Sequence, residues 1–143
     1  MLRQEKEEKK TNNKQIGSEE GTEEPVILAI VGYRNFGNYD VFLKTVEEAI
    51  EEWGMPASIV SGGCRGADKM AERFARERGI EVKVLLPNKR LHPYGSSRFV
   101  VRDRKIAEMC THMVAFPSEL GKGTQHTIAF AQKLKKPVKL VFV

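Results

Sequence analysis

The chain has 143 residues, 24 Lys+Arg against 19 Asp+Glu, 41% hydrophobic and 8% aromatic residues, which is the composition of an ordinary soluble globular domain. Two cysteines, Cys64 and Cys110, argue against a disulfide framework. The longest apolar run, Val26 to Val31, is far below the roughly 20 residues of a membrane span, and the N-terminus carries charges where a secretory signal needs an apolar stretch. A cytoplasmic location with no membrane partner is therefore the expectation.

Residues 1–24 hold 5 basic and 7 acidic side chains and almost no apolar ones. Such a segment cannot bury enough apolar surface to offset an ordering entropy of roughly 1–2 kcal/mol per residue. It is predicted to be a disordered charged tail, which leaves 25–143 as one folded domain. A domain of that size buries about two thirds of its unfolded surface and needs neither disulfides nor a structural metal. Taking the tail's net −2 from the chain's +5 leaves +7 on the folded part. That charge attracts anionic ligands without singling out nucleic acid.

The folded part alternates short β-like runs with amphipathic helical stretches, the pattern of an α/β protein with a mostly parallel sheet. Val26–Val31 is apolar on both faces, as a central parallel strand is, and ends at Gly32. Phe42, Val46, Ala49, Ile50 and Trp53 then form one stripe of a helix that stops at Gly54 and Pro56. Ala57–Val60 reads as the second strand. A second helix runs from about Gly66 to Arg78, with Gly79 as its C-terminal cap. Val82–Leu86 is predicted as the third strand, a basic helix covers about Ser97 to Met109, and Met113–Phe116 is the fourth strand. After Gly121-Lys-Gly-Thr124 a last helix runs to about Lys135, and Val138–Val143 closes a five-stranded sheet.

The features that carry chemistry follow strand ends: Gly32-Tyr-Arg-Asn35 after the first, Ser61-Gly-Gly-Cys-Arg-Gly-Ala-Asp68 after the second, and Ser118 to Thr124 after the fourth. Open parallel sheets bind ligands along that edge, where strand order reverses. An order 3-2-1-4-5, adopted from the habit of such folds, puts Arg34 and the Gly121–Thr124 loop on two walls of one crevice. Gly62, Gly63 and Gly66 let the backbone turn tightly at a helix start, and Gly121, Gly123 and Thr124 repeat the device. Two such nests suit a phosphate or the ribose and phosphate of a nucleotide. Gly32 to Gly37 does not spell G-x-G-x-x-G, and Ser61 stands where an acid would hold the ribose of NAD, which disfavours a dehydrogenase. Gly121-Lys-Gly-Thr lacks the leading glycine of a Walker loop, so an ATPase is also disfavoured.

These motifs, with Arg102-Asp103 and Gly121-Lys-Gly-Thr-Gln-His-Thr-Ile128, resemble those of the YspA/YpsA-related SLOG proteins over roughly residues 26–143. The resemblance implies a Rossmann-like fold, a nucleotide-derived ligand, Arg102 beside that ligand, and a homodimer as the oligomer to look for. The same superfamily contains the LOG phosphoribohydrolases, the DprA DNA-processing proteins and ligand-sensing domains, so kinship of fold leaves function open. Two departures stand out. The Glu of the LOG glycine-rich loop, which acts in cleaving the N-glycosidic bond, is replaced by Thr127, and the family's usual Arg-Asn is Arg102-Asp103, an acceptor in place of an amide that also donates.

The expected ligand site comprises Gly32, Arg34, Ser61, Gly62, Gly63, Arg65, Asp68, Arg102, Gly121, Gly123 and Thr124. Arg34 is suited to a two-pronged phosphate contact. Arg65 and Asp68, three apart at a helix start, fit a structural pair as well as a ligand role. Arg98, Arg102 and Lys105 share one helix face. Cys64 fits a small residue tolerated in a tight loop better than a nucleophile, because no His partner is identifiable. His92, His112 and His126 have no metal-ligand spacing, so neither a metal nor another cofactor is expected. The preferred reading is a nucleotide-binding or ADP-ribose-binding sensor or carrier. A phosphoribohydrolase using Asp68, Asp103 or Glu119 is second. Binding of single-stranded nucleic acid is third, because only Tyr33, Phe36, Tyr39 and Tyr94 offer rings for stacking.

Overall fold

A computed structural model describes residues 24–143. The tail expected over 1–24 thus lies outside the described residues, Glu24 excepted. The elements run β1 (Ile27–Gly32), α1 (Tyr39–Trp53), β2 (Ser58–Ser61), α2 (Ala67–Arg78), β3 (Glu81–Val84), α3 (Ser97–Met109), β4 (His112–Phe116), α4 (Gly123–Lys133) and β5 (Val138–Leu140). The five strands form one parallel sheet in the order β3-β2-β1-β4-β5, the order expected from fold habit.

β1 is the central strand, and its alternate residues serve two cores. Leu28 and Ile30 pack with Phe42, Val46, Phe74 and Phe116 beneath α1 and α2. Ala29 and Val31 pack with Ile106, Ala107, Met113 and Ile128 beneath α3 and α4. Burial on both faces is why its sequence shows no polar alternation. The ring of Phe42 stacks on Phe116 at 5.5 Å, fixing α1 to the sheet.

The element boundaries that differ from expectation have local causes. α1 begins three residues before Phe42, because the Asn38 side chain accepts the Val41 N–H at 3.1 Å and caps the helix. The third strand is Glu81–Val84 rather than Val82–Leu86, and the fifth ends at Leu140 rather than Val143. Both are edge strands with one neighbour. Each continues past its end by isolated ladder bonds, Leu85 N–H to Ser61 O at 2.8 Å and Val143 N–H to Pro117 O at 2.9 Å. Cys64 is exposed and Cys110 buried, and both are free thiols. Among the described residues no helix is long and apolar enough to cross a membrane.

Candidate functional site

With β1 between β2 and β4, the loops that follow these three strands open on one edge of the sheet. A crevice of about 400 Å³ lies there. Its walls are Gly32, Tyr33 and Arg34 after β1 and Gly121, Lys122, Gly123 and Thr124 before and within α4. Its inner surface is Gly62, Cys64 and Asp68 from the β2–α2 turn, Phe99, Arg102, Asp103 and Ile106 from α3, and Thr127. A larger depression of about 620 Å³ crosses the outer face of α1, lined by Asp40, Lys44, Glu47, Glu51 and Arg78 among others. It is a shallow trough on a charged helix surface, where Arg78 pairs with Glu47, and none of the strand-end loops reaches it. The crevice is where the sequence motifs meet.

The structure divides the expected site residues. Gly32, Arg34, Gly62, Asp68, Arg102, Gly121, Gly123 and Thr124 line the crevice, while Ser61, Gly63, Arg65 and Glu119 do not. Ser61 is fully buried, donating to the Asp68 carbonyl at 3.3 Å and accepting the Gly63 N–H at 3.2 Å. A Cβ on Gly63 would meet Leu86 and Val84. The exposed Arg65 reaches back to Asn35 Oδ1 at 3.2 Å rather than to Asp68. Glu119 and His126 are exposed outside the crevice. Tyr33, Cys64, Phe99 and Lys122, which are not among the residues expected from the sequence, also belong to its lining. Each adjoins or lies among quoted motif residues except Phe99, for which apolar periodicity gave no signal, since it is 40% exposed on α3.

Arg102 braces the β2 side of the crevice. Its Nη1 donates to Gly62 O at 2.7 Å and to Leu85 O at 3.3 Å, and its Nε donates to Asp103 Oδ1 at 2.8 Å. The guanidinium thus ties α3 to the ends of β2 and β3, and Asp103 is the acceptor that orients it. An Asn in place of Asp103 would offer the same Nε an uncharged oxygen. A Cβ on Gly62 would come within 3.0 Å of both Arg102 Nη1 and Asp68 Oδ2, so a side chain there would collide with the brace.

Asp68 is 5% exposed. Its Oδ2 accepts the Cys64 N–H at 3.0 Å, so this carboxylate closes the β2–α2 turn from inside; α2 itself has Gly66 at its N-cap and no side-chain cap bond. Burial pushes the Asp68 carboxyl up to about 6, opposed by the Cys64 N–H and by Arg102 and reinforced by the charges of Glu72 and Asp103. At α4 nothing plays that part. Its N-cap is Lys122 with no side-chain cap bond, and among the described residues the N–H groups of Gly123 and Thr124 have no acceptor. Arg34 and Lys122 are exposed, and neither forms an ion pair among the described residues. The crevice therefore has a cationic rim with open amides and an acidic interior.

Comparison with known proteins agrees with this architecture. The family described as "YspA, cpYpsA-related SLOG family" matches residues 26–92. The Gene 61 protein of Mycobacterium phage D29 is 36% identical over 87 residues, taking in 56% of this chain and 67% of that protein. Among solved structures, DNA processing protein A (DprA) of Streptococcus pneumoniae superposes with a TM-score of 0.63 at 22% identity, covering 80% of this chain and 50% of that one. DNA processing protein A of Helicobacter pylori, described for its single-stranded DNA binding mode, gives 0.62 at 20% identity, covering 81% and 65%. At those identities the likeness is one of fold, and this chain spans only half to two thirds of those proteins' length. The family model, together with a relative 36% identical and covered over two thirds of its length, shows that the chain belongs to the YspA, cpYpsA-related SLOG family.

Proposed function

We propose that the chain binds a nucleotide or an ADP-ribose-like, nucleotide-derived ligand in the crevice at the C-terminal edge of the sheet, as a sensor or carrier. The observation that carries this reading is the rim: Arg34, Lys122 and the open Gly123 and Thr124 amides converge on one mouth. A phosphate satisfies all of them at once. The membership of the SLOG family supports the same class of ligand. Titration of the full chain with AMP and with ADP-ribose tests it. Arg34→Ala removes a charge-assisted contact worth about 1.5–3 kcal/mol, so affinity should fall roughly tenfold to a hundredfold. Unchanged affinity would remove Arg34 from the site and the phosphate from the rim.

A hydrolytic reading has one observation in its favour, the buried Asp68 carboxyl raised to about 6 inside the crevice, where a general acid or base is most effective. Release of adenine from AMP, lost in Asp68→Asn, would establish a phosphoribohydrolase; stable AMP leaves a binding protein. The fold shared with the DprA proteins and the +7 balance make DNA the remaining arm. A mobility shift with a short single strand that weakens steeply with salt, and that AMP does not compete away, would replace the nucleotide reading.

A further inference from the structure

The rim accounts for a phosphate and leaves the interior of the crevice unexplained. There stand three buried oxygen-bearing residues, Asp68 at 5%, Asp103 at 8% and Thr127 at 3% exposure, the Asp103 side chain itself being 12% exposed. Asp68 uses Oδ2 on the Cys64 N–H and Asp103 uses Oδ1 on Arg102. Their second oxygens, and the Thr127 hydroxyl, have no partner among the described residues. Among all the described residues the one side-chain polar atom both sealed from solvent and unpartnered is Glu72 Oε2, outside the crevice, so these three groups keep access to solvent, and the crevice they line is that solvent. No group of three or more potential metal ligands exists among the described residues. A phosphate is repelled from two carboxylates. What satisfies them is a pair of neighbouring O–H or N–H donors with no acceptor between them.

Topology selects which part of a nucleotide arrives there. The amides of α4 follow β4 and the Asp68 turn follows β2, so they stand about two strand spacings apart, roughly 10 Å, with β1 between. Arg34 is nearer still: a Cβ on Gly66, two residues before Asp68, would lie 2.8 Å from the Arg34 carbonyl oxygen. An aspartate side chain reaching in from one side and a phosphate seated on the other leave a gap that a five-membered sugar spans, with the exposed Phe99 of α3 also lining the crevice.

We infer that Asp68 and Asp103, with the Thr127 hydroxyl, read the 2′,3′-diol of a ribose, so that the crevice selects ribonucleotides over deoxyribonucleotides. This rests on the nucleotide reading above and specifies its sugar. Each carboxylate accepts a hydrogen bond from one hydroxyl, and the Thr127 hydroxyl donates to or accepts from the diol oxygen nearest it. The acid that the second strand lacks at Ser61 is thereby supplied from the first turn of α2 and from α3.

The test is calorimetric titration of the full chain at pH 7.5 with AMP, 2′-deoxy-AMP, GMP and 2′-deoxy-GMP. Loss of a hydrogen bond to a charged acceptor predicts that each deoxynucleotide binds roughly tenfold to a hundredfold more weakly than its ribose form. Asp68→Asn and Asp103→Asn should shrink that ratio toward one, whereas Arg34→Ala should weaken both sugars alike; a purely structural role for the acids would lower both and keep the ratio. If Asp103→Asn loosens the fold, Asp68→Asn and the wild-type ratio decide. Equal affinity for AMP and 2′-deoxy-AMP overturns the inference and leaves the nucleotide reading standing. A guanine preference with no dependence on the 2′-hydroxyl also overturns it, by giving the acids to the base. Binding of none of the four overturns both.

Discussion

The two glycine-rich helix starts, Ser61–Asp68 and Ser118–Thr124, look like the same device in sequence and do opposite work in the structure. In the first, the chain supplies its own anion. Asp68 receives the Cys64 N–H, Ser61 receives the Gly63 N–H, and Arg102 fills the Gly62 carbonyl. The turn is a strut. In the second, Ser118 Oγ takes the Leu120 N–H at 3.1 Å, but the amides of Gly123 and Thr124 stay open beside Lys122. The two turns expected to be equivalent therefore differ: one is filled by the chain's own side chains, and the other keeps open amides among the described residues. Glycine spacing reports where a backbone can turn and be approached; what fills the turn depends on side chains brought from elsewhere in the chain.

The sharpest way to break that contrast is to remove the brace. Arg102→Ala leaves the Asp103 carboxylate and the Gly62 carbonyl without their donor in a side-chain environment only about a tenth exposed. Breaking a buried pair from one side costs about 3–5 kcal/mol, which should lower the melting midpoint by roughly 10 to 25 °C. A change of only a degree or two would mean that the β2–α2 turn holds itself.

Next in size is a pair of alanines. Gly66 has φ +72°, and a Cβ there would lie 2.4 Å from Tyr33 O. Gly66→Ala should cost on the order of 3 kcal/mol in urea denaturation. Gly123 has no atom within 4 Å of an added Cβ and sits in a first helical turn, so Gly123→Ala should stay within about 1 kcal/mol of wild type, on the stabilising side. Similar losses at both positions would erase the distinction between the filled turn and the open one.

The smallest effect is the pH dependence of the strut. A carboxyl raised from 3.8 to about 6 by folding holds its proton more tightly in the native state than in the unfolded one. Native stability therefore falls as pH rises from about 4 to about 6, by on the order of 2–3 kcal/mol, and the loss is complete above that window. Asp68→Asn keeps an acceptor for the Cys64 N–H and cannot titrate. Thermal melts of both proteins between pH 4 and pH 7.5 should show the wild type losing ground to the variant as pH rises; parallel curves would place Asp68 in ordinary solvent.

Much of this protein is written in its local sequence. The both-face apolar run before Gly32, the stripe from Phe42 to Trp53, the Gly79 cap and the motif wording of Ser61–Asp68 and Gly121–Ile128 determine an α/β fold of the SLOG type with its polar loops at strand ends, because hydrophobic period and turn chemistry act over a few residues. Partners far apart in sequence are decided by packing. Arg102 meets Gly62 across 40 residues and Leu85 across 17; read on its own helix it shares a cationic face with Arg98 and Lys105, and only the fold turns it inward as a brace. Arg65 likewise passes over Asp68, three residues on, for Asn35, 30 residues back. Asp68, Asp103 and Thr127 come from three different helices, and no spacing in the chain encodes that their free oxygens share one crevice. That depends on the sheet order, which places β1 between β2 and β4 and so sets an acidic interior behind a cationic rim.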